Sequence, residues 1–208
     1  MADRCELLRR NVICSKKTLN KEIHGIRVTV GFFKLAIIFL AAGFLLVNCS
    51  SGKDWRSASR ASAGIAPDPA ETHEAVLQVY GARAWGWRGW FAIHTWVAAK
   101  RTGEDSYLVY DVVGWRAKRG QSVMRIARDI PDRYWFDAKP QVLVEHRGDG
   151  VDQLIDAVDQ AARDYPWKET YKVFPGPNSN TFTAWVGKEV PELELELPFQ
   201  AIGSGYVN

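Results

Sequence analysis

Apolar positions along the chain fall into two regimes. Residues 28–47 (VTVGFFKLAIIFLAAGFLLV) are apolar without period and broken only by Lys34. Roughly 20 such residues let a helix cross a bilayer. Beyond residue 72 the pattern becomes periodic. Residues 90–100 (WFAIHTWVAAK) alternate, with Phe91, Ile93, Thr95 and Val97 on one face and Ala92, His94, Trp96 and Ala98 on the other. That is the period of a strand. Residues 74–80 and 107–115 read as strands too, and shorter ones are predicted at 122–127, 141–145 and 171–174. Thr102-Gly103 marks a hairpin between the second and third strands. With those two residues at the turn centre, His94 faces Asp111. With a Gly103-Glu104 turn the two are diagonal but still on one face, and only an odd loop would part them.

Residues 151–165 change period. Val151, Leu154, Ile155, Val158, Ala161, Ala162 and Tyr165 form a helical stripe, with Asp149 or Gly150 at its start and Pro166 at its end. A second helix opens at Asn178 or Asn180 and carries Phe182, Trp185, Val186 and Val190 inward as far as Pro191. Residues 192–197 alternate Glu with Leu, as an extended edge segment with one wet face would. The expected fold is α+β: an antiparallel sheet with two main helices, preceded by one N-terminal transmembrane or signal-anchor helix. The expected organisation is a basic cytoplasmic segment (1–27), a membrane or signal helix (28–48), a Ser/Ala/Gly/Pro-rich linker (49–72) and a periplasmic domain (73–208).

Charge sharpens the topology. The net charge of +3 is too small to argue for nucleic acid. Its distribution is uneven, because Arg4, Arg9, Arg10, Lys16, Lys17, Lys21, Arg27 and Lys34 face only Asp3, Glu6 and Glu22 at the head of the chain. Basic residues before an apolar span keep that side in the cytoplasm. The expected location is the bacterial inner membrane, with the main domain periplasmic. All three cysteines (Cys5, Cys14 and Cys49) precede residue 50, so the domain has no disulfide and no thiol chemistry. Leu46-Val47-Asn48-Cys49-Ser50 resembles a lipoprotein lipobox, which makes Cys49 a lipidation candidate. Asn48 departs from the small residue that pattern prefers, so an uncleaved anchor is the competing reading.

Three features bear on chemistry. Residues 83–90 (RAWGWRGW) crowd Trp85, Trp87 and Trp90 around Arg88, either as a platform for glycan or headgroup or as a loop completing the core. Four histidines show no metal-ligand spacing, so neither a metal nor a cofactor is expected. The run Pro175-Gly176-Pro177-Asn178-Ser179-Asn180-Thr181-Phe182 delivers a helix N-terminus, whose first N–H groups lack internal partners and can receive an anion. Ser179 sits among those donors. It needs a base to act as a nucleophile, and His94 is the candidate left by elimination, with Asp111 to orient it. The bland alternative is that Asn178, Ser179, Asn180 and Thr181 are only caps.

The stretches VYGARAWGWRGWFAIHTWVAAK, YDVVGW, PDRYWF, YKVFPGPNSNTFTAWV and VPELELELPFQAIG resemble a bacterial family known as domain of unknown function 3750. The resemblance implies a membrane-anchored domain of Gram-negative bacteria and brings no activity with it. Val79-Tyr80, His94-Thr95 and the Asn178–Phe182 run also resemble, in order, motifs of permuted papain-like hydrolases. There Ser179 stands in the place of the nucleophilic cysteine and His94 in that of the base. A hydroxyl is not ionised near neutral pH as a thiol partly is, so that resemblance fits either an inactive relative or a serine variant. Three functions follow as expectations. One is a non-catalytic envelope module binding peptide, glycan or lipid through Trp85, Trp87, Arg88, Trp90, Asn178, Asn180 and Thr181. Another is a hydrolase or acyl/peptidyl transferase using Ser179, His94 and Asp111. The third is a structural or assembly partner of another envelope protein.

Overall fold

A computed structural model describes residues 54–207. The expected membrane span at 28–47, Cys49 and the basic head lie outside the described residues. Among the described residues no helix is long and apolar enough to cross a membrane.

Five antiparallel strands form one sheet: β1 (Val76–Arg83), β2 (Ile93–Lys100), β3 (Leu108–Val112), β4 (Met124–Arg128) and β5 (Gln141–Arg147). Their order across the sheet is β4-β3-β2-β1-β5. Two α-helices follow, α1 (Val151–Asp164) and α2 (Ser179–Glu189). The fold class is therefore α+β, as the periodicities predict.

Alternation along β1, β2 and β3 supplies two apolar faces, and both are covered. On one, Leu77, Val79, Val97, Ala99, Tyr110 and Val112 meet the inward stripes of the helices. Val151, Ile155, Val158 and Ala162 come from α1, and Phe182 and Val186 from α2. On the other, Val76, Tyr80, Trp96, Ala98 and Val109 meet Tyr107, Val113, Trp135 and Ile65. A sheet covered on both sides explains why residues 75–80 are almost continuously apolar. Its one polar member, Gln78, is fully buried and satisfied, donating to Glu145 and accepting from the Tyr80 hydroxyl at 2.6 Å.

Several expectations are corrected. Residues 171–174 form no strand, because Lys172 N–H bonds the Pro177 carbonyl and turns the segment into a loop. Residues 192–197 are not an extended edge. Pro191–Leu193 is a 3-10 turn, although the buried Leu193 and exposed Glu192 and Glu194 keep the alternation in burial. Trp185 is half-buried, its Nε1 donating to the Ala161 carbonyl at 2.9 Å. Residues 54–72, read as linker, dock on the domain. Buried Asp132 accepts from the Ser62 hydroxyl and from the Ile65 and Ala66 N–H groups, and Ser62 pairs with Arg133 across an isolated bridge.

Candidate functional site

The β2–β3 hairpin decides what His94 meets. The observed register pairs Val97 with Tyr110 and Ala98 with Val109, the register a Gly103-Glu104 turn would give, although the tight turn itself is centred on Thr102-Gly103 within a longer loop, Glu104 N–H bonding the Arg101 carbonyl at 3.1 Å. Continued one step, it sets Asp111 across from Trp96 and diagonal to His94 on the same face. Their side chains join: His94 Nε2 lies 2.9 Å from Asp111 Oδ1. Arg133 Nη2 donates to the other carboxylate oxygen at 2.5 Å. The His94 ring lies flat on Trp135, with centroids 3.5 Å apart and planes within 7°. The Arg133 guanidinium sits 5.4 Å from the Trp96 ring and 5.8 Å from that of Trp135. His94, Asp111 and Arg133 are all buried.

Burial alone would raise the Asp111 carboxyl. The His94 charge and hydrogen bond, then the charges of Arg133 and Arg125, outweigh it and hold the group below the ordinary carboxylate range. An ionised Asp111 only accepts, so the proton of the shared bond belongs on His94 Nε2. The other ring nitrogen is Nδ1. It has no hydrogen-bond partner among the described residues and is not sealed from solvent.

The start of α2 is bolted to β2 beside His94. Asn180 Nδ2 donates to the Ile93 carbonyl at 3.0 Å, and Thr95 Oγ1 donates to Asn180 Oδ1 at 2.9 Å. Ser179 follows the cap and is buried. Its hydroxyl bonds nothing among the described residues, His94 included. The two residues are thus brought to the same end of β2 without touching. Their neighbours explain the gap: Thr95, which faces α2, and His94 point to opposite faces of the strand.

The donor set expected around Ser179 is largely spent. Asn178 Oδ1 accepts from Asn180 N–H at 2.9 Å and Thr181 N–H at 3.2 Å, and the Thr181 hydroxyl accepts from Asn178 N–H in return, a capping box. Asn178 Nδ2 donates to the Val173 and Ile202 carbonyls, Asn180 Nδ2 also to Ile202, and Thr181 Oγ1 to Gly203. The space for this is made by Gly203, where a Cβ would meet Asn178 Nδ2 at 2.3 Å. Asn178, Asn180 and Thr181 are therefore framework, not free ligand contacts. Of the groups expected to form an anion hole, the Ser179 N–H stays without a partner among the described residues.

The aromatic run divides as well. Gly86–Trp90 is a 3-10 turn closing β1 onto β2. Trp85 packs inward, 5.3 Å from Phe136, whereas Trp87 and Trp90 are 65% and 72% exposed. Arg88 is half-buried. Tyr171 covers Gly114 so closely that a Cβ there would lie 2.6 Å from its ring. Burial pushes the Tyr171 hydroxyl up to about 12, with Asp111 adding to the rise and Arg88 opposing it. Both charges thus act on one hydroxyl at this end of the sheet. Among the described residues no group of His, Cys, Asp or Glu is arranged to hold a metal ion.

Arg133, Trp135 and Tyr171 complete the site and were not singled out from sequence. The one signal was PDRYWF, which sets an arginine and two aromatics in a segment with neither strand nor helix period. Comparison with curated proteins and with solved structures gives no match. A family profile matches residues 74–206, which takes in the sheet, both helices, His94, Asp111 and Ser179, and the chain belongs to that family, described as Protein of unknown function (DUF3750).

Proposed function

We propose that this is a membrane-anchored envelope protein whose periplasmic domain is a binding module for peptide, glycan or lipid. Residues 28–47 anchor it, or a lipid on Cys49 does. The observation that carries the reading is the pair Trp87 and Trp90, mostly exposed on a short 3-10 turn at the end of the sheet where His94 and Ser179 also lie. Exposed tryptophans on a rigid turn offer stacking area at little entropic cost. Arg88 beside them supplies a cation. The His94–Asp111–Arg133 chain then serves as the buried pillar under this surface. Replacing Trp87 and Trp90 together by Ala should abolish binding to envelope fractions while leaving thermal unfolding within about 1 kcal/mol of wild type, as surface changes do. Retained binding refutes the platform.

A second reading has its own support. The 2.9 Å contact to Asp111 would orient His94 as a base, and the Ser179 hydroxyl is unbonded among the described residues at the same end of β2. A serine hydrolase or acyl transferase would use these groups, and would need His94 to turn from its face of the strand toward Ser179. Labelling with a fluorophosphonate probe separates the two. Modification of wild type that is lost in Ser179→Ala favours the enzyme, and no labelling at Ser179 leaves the binding module.

A further inference from the structure

We propose that the ligand of this aromatic end is the surface of an anionic lipid bilayer, into which Trp87, Trp90, Phe91, Phe174 and Phe199 insert at headgroup level. The inference rests on the binding-module reading above and names its partner.

Placement comes first. The five rings belong to three segments distant in sequence, and backbone bonds draw these together. Ala92 N–H bonds the Arg88 carbonyl, and Ile93 N–H bonds the Gln200 carbonyl at 3.0 Å. Asn178 Nδ2 then ties Val173 to Ile202. The result is one end of the sheet from which Phe199 and Phe174 protrude at 88% and 76% exposure, beside Trp87, Trp90 and Phe91. Soluble surfaces seldom gather this many exposed rings without a partner. Tryptophan in particular favours the boundary between headgroups and acyl chains.

Charge selects the partner. Residues 83–92, 113–123, 171–178 and 198–207, the loops at this end, contain Arg83, Arg88, Arg116, Lys118, Arg119 and Lys172, and neither Asp nor Glu. Asp137 and Glu169 flank the set, and Asp137 is engaged by the Ser59 N–H. The opposite end of the sheet is mixed: Glu71, Glu74, Glu104, Asp105 and Asp149 lie there with Lys100, Arg101, Arg128 and Arg147. An end whose loops carry six cations and no carboxylate orients on an anionic surface, each cation near it contributing about 1 kcal/mol.

Residues 59 and 60, near the start of the described chain, lie at the same end. Ser59 N–H bonds Asp137 at 2.8 Å, the Arg60 guanidinium covers Phe136 at 4.2 Å, and Phe136 packs on Trp85. Only six residues lie between Val47 and Asp54, which fully extended span about 25 Å.

The test uses the full chain in vesicles containing phosphatidylglycerol with brominated acyl chains. All nine tryptophans lie at or beyond residue 55, so quenching reports the domain and not the anchor. The expected result is a loss of about a fifth of the emission relative to unbrominated lipid, the share of Trp87 and Trp90 among the nine. Trp87→Ala/Trp90→Ala should remove that loss, and pure phosphatidylcholine vesicles should weaken it. The charge-reversed variant Arg116→Glu/Lys118→Glu/Arg119→Glu should weaken it as well, without touching a ring. Absence of bromine-dependent quenching overturns the inference, as does equal quenching in the double Trp variant. If soluble peptidoglycan fragments shift the emission but brominated lipid does not quench it, the inference falls while the binding module stands. Silence toward both overturns the two together.

Discussion

Replacing Asp111 by Asn probes the buried His94–Asp111–Arg133 chain directly. The substitution keeps the side-chain shape and leaves an oxygen for His94 Nε2. It removes the nearer charge facing Arg133, whose Nη2 lies 2.5 Å from the carboxylate, and leaves only Asp129, whose Oδ2 is 3.8 Å from Nη1. Arg133 cannot escape to solvent, since its side chain is 8% exposed. Stranding one member of a buried ion pair costs about 3–5 kcal/mol, and with Asp129 still 3.8 Å from Nη1 the lower end applies. At about 2–4 °C per kcal/mol for a domain of this size, Tm should fall by on the order of 10 °C. Circular dichroism melts measure it. Asp111→Asn/Arg133→Met removes both charges and should melt above Asp111→Asn alone, because apolar replacement of a whole buried pair is often close to neutral. A single variant within about 1 kcal/mol of wild type, or a double variant costing the sum of the two singles, refutes the reasoning.

The same group sets an acid limb. Its folded carboxyl is held below the ordinary range, whereas the unfolded value is about 3.9. The unfolded state therefore binds this proton more tightly. The stabilisation is complete above about pH 4 and is lost as pH falls through the folded value. Asp111→Asn should flatten that limb, and an unchanged acid slope in the variant contradicts the assignment.

Three further outcomes follow from the geometry. Asn178→Ala removes a cap worth about 0.5–2 kcal/mol and the donor to the Val173 and Ile202 carbonyls, so it should cost about 2–4 kcal/mol in urea titrations. Trp185→Ala removes a half-buried ring, its bond to Ala161 and an edge contact to Trp167, and should cost about 2–4 kcal/mol by the same measurement. Burial pushes the Tyr107 and Tyr171 hydroxyls up to about 12, against about 10 unfolded, so stability should hold below about pH 10 and decline as pH rises through 12. Absorbance at 295 nm checks this, and tyrosines ionising together near pH 10 in the folded protein would contradict it.

How far the sequence was readable depends on how local each determinant is. The strands, both helices and the His94–Asp111 contact rest on period and on a short hairpin, whose determinants lie within about twenty residues of each other. A turn of either even register leaves both side chains on one face. Arg133 and Trp135 were not readable in the same way. They reach the site from a segment with no period, and nothing within the hairpin says what will cover it. Residues 192–197 misled in the opposite direction: Pro191 and the left-handed Glu194 bend the chain, yet alternation survives in burial alone. Alternation thus reports which side chains are covered, and a strand also needs a neighbour to pair with.

The helix start at Ser179 makes the sharpest case. Sequence gives the first turn of a helix as a set of free donors, because it counts only bonds within the helix. The structure selects Asn178, one of the two caps the sequence offers, and it accepts from two of those donors with its side chain and from Phe182 N–H with its carbonyl. A residue good enough to start the helix has used most of what would hold an anion there. Any anion bound at this point meets the Ser179 N–H and hydroxyl, and the cationic help must come from side chains outside the helix. Arg88 and Lys172 are the cations on the adjoining segments, and both belong to the loops that carry the exposed rings. Recognition of a negatively charged ligand at this end is therefore a property of the aromatic loops. The cap at Asn178 contributes by fixing where the segments at 173 and 202 stand relative to them.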